Sequence, residues 1–92
     1  MTKQLGTIHY ARYERSVRLQ RLLEFLYDGQ WHTTLEIIHG ADVCAVSSAV
    51  CELRENGFGV TRKGNRPAMY RLDDPAAARK LARRLIGFKE AA

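Results

Sequence analysis

This 92-residue chain is sparing with the residues that staple or break structure: two cysteines and two prolines. Two cysteines cannot build a disulfide framework of the kind that holds small secreted domains together. Cys44 and Cys51 stand seven apart on an expected helix, hence ~10.5 Å apart along its axis at ~1.5 Å per residue. A bridge needs Cα atoms within ~7 Å, so two free thiols in a reducing compartment are expected. No apolar run reaches the ~18–20 residues of a membrane span. The opening MTKQLGTIHY has no signal-peptide core, which makes the cytoplasm the expected location. Also missing are a phosphate-cradling glycine loop, a paired nucleophile and base, and a Cys-x-x-Cys or His-x-x-x-His pair. Neither an enzyme nor a metal or cofactor protein is therefore expected, and no membrane partner.

What is present is one domain's worth of chain, 46% hydrophobic, with fifteen Lys and Arg against ten Asp and Glu. The net charge of +5 favours a polyanionic partner. Its distribution is uneven. Residues 29–57 carry one base and four acids, −3, whereas residues 58–72 carry four bases and no acid, +4. The two terminal segments, 1–28 and 73–92, are +2 each.

Residues 1–14 show no clean period and read as an N-terminal arm. Leu19, Leu22, Leu23 and Leu26 then fall on one helical face, and Asp28-Gly29 supplies a stop. Gln30-Trp31-His32 reads as a short extended piece, with Trp31 under the sheet. Thr33 and Glu36 have capping-box spacing and open a helix over about 34–39, with Leu35 and Ile38 inward and Gly40 as its end. Asp42 is the expected N-cap of the next helix, residues 43–56, which buries Val46, Val50 and Leu53. Phe58, Val60 and Arg62, then Ala68 to Leu72, alternate around the turn Lys63-Gly64-Asn65-Arg66, the pattern of a β-hairpin with a basic tip. Pro67 suits a strand start. Asp74-Pro75 opens a last helix of about 75–88.

Two helices joined by a tight Gly-containing turn, followed by a hairpin, resemble a winged helix-turn-helix domain. More narrowly, HTTLEIIHG, VSSAVCELRENGFGV and YRL are similar to small helix-turn-helix proteins of phages and prophages, which tend to close the second helix in Glu-Leu-Arg-x-x-Gly. Here that phrase is Glu52 to Gly57. The resemblance covers about residues 17–72. It implies an α+β, mainly helical fold: a three-helix core, a two- or three-stranded wing and an added C-terminal helix. The expected divisions are an arm (1–14), the winged domain (15–72) and a terminal helix (73–92).

The function implied is a sequence-reading protein for double-stranded DNA, a phage- or prophage-type transcriptional regulator. Helix 43–56 would enter the major groove. Its N-terminal half offers Cys44, Ala45, Ser47, Ser48 and Cys51, short uncharged side chains that let the backbone approach base edges. Affinity would come from Arg62, Lys63, Asn65 and Arg66 on phosphates or in the minor groove, with Thr34 at a helix N-terminus. His32 is weighed between phosphate contact and local capping, and Arg54 between DNA and a salt bridge, for instance with Glu24. Modest affinity per monomer implies a homodimer. The apolar side of the last helix, with Ala78, Leu81, Ala82, Leu85 and Ile86, packs either on helix one or on a second chain. The alternative is a winged helix used as a protein-interaction module, an adaptor or an inhibitor of a host factor, supported by the acidic segment 29–57.

Overall fold

The computed structural model describes residues 11–91. Its order is a short 3-10 helix (Tyr13–Arg15), α1 (Val17–Leu26), β1 (His32–Thr33), α2 (Thr34–Ala41), α3 (Val46–Glu55), β2 (Val60–Lys63), β3 (Met69–Leu72) and α4 (Pro75–Ala91). The fold is α+β and mainly helical, with one small antiparallel sheet in the order β1-β3-β2. No single helix among the described residues is long and apolar enough to cross a membrane.

The leucine spacing produces α1 as expected. Leu19, Leu22, Leu23 and Leu26 are all fully buried. Ser16 caps the helix by accepting from the Leu19 N–H at 3.2 Å. The capping box of α2 also forms: Thr33 Oγ1 accepts from the Glu36 N–H at 3.1 Å, and Glu36 Oε1 accepts from the Thr33 N–H at 2.8 Å.

The phase and length of α2 differ from expectation. Ile37 and Ala41 are its buried residues, Ile38 is half-buried, and Leu35 is 62% exposed. Packing against α1 selects the Ile37–Ala41 stripe, and Leu35 lies about 200° around the helix from Ile37. Nor does Gly40 end the helix. The Phe25 ring of α1 lies where a Cβ on Gly40 would sit, so glycine here permits a close helix approach. The stop comes at Asp42, which adopts the left-handed conformation (φ 57°) that Asp tolerates better than most residues. Arg21 closes this end, donating from Nε to the Ala41 carbonyl (3.1 Å) and from Nη2 to the Asp42 carbonyl (3.2 Å). Asp42 is thus the C-cap of α2, not the N-cap of α3.

Val46, Val50 and Leu53 of α3 are buried, joined by Ala49. Of the expected arm 1–14, residues 11–14 pack onto the end of α3, and residues 1–10 lie outside the described residues. Tyr13 is buried, its ring tilted against Phe58 at 4.9 Å. Helix α4 starts as expected, with Asp74 Oδ1 accepting from the Ala77 N–H at 3.1 Å, and runs to Ala91. Ala78 and Ala82 are buried within the chain itself, against its own core.

Candidate nucleic-acid interface

Helix α3 begins three residues later than expected. Ala45 stands at the N-cap with no side-chain hydrogen bond, and the first helical bond runs from the Ala49 N–H to the Ala45 carbonyl at 3.0 Å. The bend over 43–45 follows from the left-handed Asp42 and from Val43, which drops into the core at 1% exposure. Cys44 and Ala45 therefore precede the helix instead of forming its first turn. Cys44, Ala45, Ser47, Ser48 and Cys51 are nonetheless all exposed, and both cysteines are free. The N-terminal N–H groups of α3 have no capping side chain, leaving a partial positive end beside two serine hydroxyls.

The acids of this segment are less available than the sequence suggests. Arg18 Nη2 donates to Glu52 Oε1, and the Ala11 N–H donates to Glu52 Oε2 at 3.2 Å. Burial pushes the Glu52 carboxyl up, but the hydrogen bonds from Arg18 and Ala11 and the Arg18 charge outweigh it. The group ends below its ordinary value. Glu36 is held in its capping box. Glu55 and Asp42 remain exposed on this segment. Of the two roles weighed for Arg54, DNA contact or a salt bridge such as one with Glu24, the salt bridge does not form among the described residues: Arg54 donates from Nε to the Val60 carbonyl at 3.0 Å and links α3 to the hairpin.

The hairpin carries the positive charge. Its strands pair Val60 with Leu72, Thr61 with Arg71, Arg62 with Tyr70 and Lys63 with Met69. Alternation puts Val60, Tyr70 and Leu72 toward the core, where all three are buried. Arg62 shares their side but lies past the core and is exposed. The turn from 64 to 68 uses two left-handed residues, Gly64 (φ 74°) and Arg66 (φ 62°), and a cis Arg66–Pro67 bond. Pro67 lies in this turn, two residues before β3. Arg62, Lys63, Asn65 and Arg66 form one exposed run at this end of the sheet, with no carboxylate in salt-bridge reach among the described residues.

Thr34, an expected contact residue, and His32, weighed between phosphate contact and local capping, are both engaged internally. The Thr34 hydroxyl donates to the Ala68 carbonyl at 3.2 Å, as does its N–H at 3.0 Å, tying the start of α2 to the hairpin. His32 Nε2 lies 2.9–3.0 Å from the Asp28 carboxylate, and its ring packs on Phe25 at 4.6 Å. The Asp28 carboxyl is held below its usual range, first by the Gln30 N–H and then by His32, against the opposing effect of burial.

Trp31 is the clearest departure, because the sequence pattern puts it under the sheet and the structure does not. His32 pairs with Tyr70 and Thr33 with Met69, so one step back along that register Trp31 faces Arg71 on the outer side. It is half-buried, with Lys63 Nζ 4.1 Å and Arg71 Cζ 5.5 Å from its ring centroid. Neither Trp31 nor Arg71 is among the site residues expected from sequence. The hairpin alternation alone places Lys63 and Arg71 on one face. Placing Trp31 beside them requires the β1–β3 register, which the sequence does not display.

No family model matches this chain, and no curated protein and no solved structure matches it.

Proposed function

We propose that this chain is a winged helix-turn-helix protein that binds double-stranded DNA in a sequence-reading manner, as a regulator of transcription of the phage or prophage type. Helices α2 and α3 are the helix-turn-helix pair in this reading, and β2–β3 is the wing. The observation that carries it is the division of labour between two exposed surfaces. The hairpin presents four bases and no acid. The start of α3 presents Cys44, Ala45, Ser47, Ser48 and Cys51, short enough to let a helix backbone come near base edges. Phosphate contacts supply affinity and register, and base contacts specify. A cationic wing with a nearly neutral reading helix fits that separation. Pairing of Glu52 with Arg18 supports it further, because it neutralises one carboxylate on α3.

Two copies of the chain on one site would compensate for the few cations each brings. The buried Ala78 and Ala82 leave the outer edge of α4, rather than its whole apolar side, for such a contact.

The test is a titration of labelled duplex DNA, first random and then taken from the flanks of the chain's own gene, across a salt series. Binding weakens steeply with salt, and the triple variant Arg62→Ala, Lys63→Ala, Arg66→Ala flattens the log–log slope by about 2–3, at ~0.9 for each phosphate no longer neutralised. Salt-independent or absent binding at low ionic strength rejects the reading.

A second reading, a protein-docking module, has one observation in its favour. Val17 and Leu35 are 64% and 62% exposed. They line two neighbouring shallow grooves that share Phe25. Under that reading Leu35→Ser abolishes partner binding, while the wing variants leave it intact.

A further inference from the structure

We propose that the phosphate-binding surface continues from the hairpin tip onto the outer face of the sheet through Lys63 and Arg71, and that Trp31 is the residue that positions both cations. This inference rests on the DNA-binding reading above and extends it from the hairpin tip onto the sheet.

The geometry is a convergence of two cations on one indole. Lys63 Nζ lies 4.1 Å and Arg71 Cζ 5.5 Å from the Trp31 centroid. Lys63 comes from β2 and Arg71 from β3, the adjacent strand, and both point to the face opposite Tyr70 and Leu72. Like charges this close repel, and neither has a carboxylate in salt-bridge reach among the described residues. The ring quadrupole offsets part of that repulsion. A phosphodiester group would supply the missing negative charge.

The chemistry of the holder matters as much as the charge. A carboxylate partner would neutralise a cation, as Glu52 does for Arg18. A carbonyl partner would occupy its donors, as the Val60 carbonyl does for Arg54 Nε. An aromatic face restrains the long side chain while leaving its charge and its N–H donors available to a ligand. Restraint before binding lowers the ordering cost at the moment of association. Trp31 is itself half-buried and adjacent to the paired residues of β1, which hold its backbone in place. Arg79 lies 4.2 Å from the Tyr27 ring, but as a single cation on that ring, so the pair lacks the convergence seen at Trp31.

Four variants of the full chain test this by anisotropy of a labelled random duplex across a salt series. Lys63 and Arg71 are exposed, so Lys63→Ala/Arg71→Ala keeps the fold, checked by circular dichroism. It is expected to flatten the log–log slope by about 1.8, at ~0.9 for each of two contacts. Arg62→Ala/Arg66→Ala reports the tip separately. Trp31→Leu, which keeps both charges, is expected to lower affinity about three- to tenfold with the slope nearly unchanged. Trp31→Phe, which keeps an aromatic face, recovers most of that loss. If the Lys63/Arg71 variant keeps the wild-type slope while the Arg62/Arg66 variant flattens it, the outer face makes no phosphate contact. The inference then falls, and DNA binding through the tip stands. Equal loss in Trp31→Leu and Trp31→Phe overturns the positioning role. A wild-type chain that ignores duplex DNA at low salt overturns both readings together.

Discussion

The side-chain amide of Asn56 clamps the backbone on either side of Arg12. Its Oδ1 accepts from the Tyr13 N–H at 2.9 Å, and its Nδ2 donates to the Ala11 carbonyl at 2.9 Å and to the Glu52 carbonyl at 2.8 Å. One side chain at the C-cap of α3 thereby fixes the segment that leads into α1, and it does so across more than forty residues of sequence. Replacing it leaves a Tyr13 N–H and an Ala11 carbonyl part-buried without partners. Asn56→Ala is expected to destabilise the fold by about 1–3 kcal/mol, the range for orphaned buried polar groups. In a domain of this size that lowers the thermal midpoint by about 4–8 °C per kcal/mol, read by circular dichroism. A midpoint unchanged from wild type would show that the clamp contributes nothing.

Glu52 gives the fold a defined acid sensitivity. Its folded-state carboxyl lies below the ordinary glutamate value because the hydrogen bonds from Arg18 and Ala11, with the Arg18 charge, together outweigh burial. A depressed folded pKa means that the contribution is fully present above the unfolded value, ~4.3, and is lost as pH falls through the folded one. Urea midpoints measured from about pH 6 down to pH 3 are expected to fall more steeply for wild type than for Glu52→Gln. Parallel curves would mean that the Arg18–Glu52 pair is thermodynamically silent.

These two interactions mark the boundary of what the sequence displays. Periodicity and capping chemistry are local, and they place the α1 leucines, the Thr33–Glu36 box, the Asp74-Pro75 start and the alternating hairpin where the structure has them. Asn56 to Tyr13 and Glu52 to Arg18 join residues far apart in the chain, and nothing in the local pattern of either partner announces the other. Short elements fail for a different reason. Eight residues of α2 contain Leu35, Ile37 and Ile38, enough apolar groups to support more than one phase, and only packing on α1 selects Ile37. Two residues of β1 have no period at all, so the side on which Trp31 falls is settled by its pairing with β3. The exposed small residues before and within α3 are legible because the Val46, Val50 and Leu53 face is unambiguous. The onset of the helix is not, since Asp42 is a chemically good N-cap that the fold uses as a left-handed C-cap.

Tyr13 predicts the opposite, alkaline limit. Burial, reinforced by the neighbouring Tyr27 and Glu24, pushes its hydroxyl up to about 12. A raised folded pKa contributes stability below the unfolded value, ~10, and that contribution disappears as pH rises toward the folded one. Wild-type stability is therefore expected to fall between about pH 10 and about pH 12. Tyr13→Phe, which keeps the ring against Phe58, flattens the fall. A spectrophotometric titration of the phenols tests the same point independently: one late-ionising tyrosine is missing from the variant. If wild type and Tyr13→Phe lose stability identically across this range, the hydroxyl is not the group responsible.

The exposed face of α3 that is proposed to read DNA yields a prediction that separates base approach from charge elsewhere. Ser48 is exposed in the first turn of α3, beside Ser47 and away from the buried Val46, Ala49 and Val50. A glutamate there suits a helix N-terminus, so Ser48→Glu is expected to leave stability within about ±0.5 kcal/mol of wild type, or to raise it slightly. On DNA the same carboxylate would meet the negative groove at the point of closest approach and lose its water without gaining a partner. Duplex affinity is expected to drop at least about tenfold at low salt, whereas Glu55→Gln, at the far end of the helix, changes it less than about threefold. Isolated loss at Ser48 with an intact thermal midpoint places this turn of α3 against the nucleic acid. Undiminished affinity would instead put the DNA on the hairpin alone, with α3 turned away and its serines ordinary solvated positions.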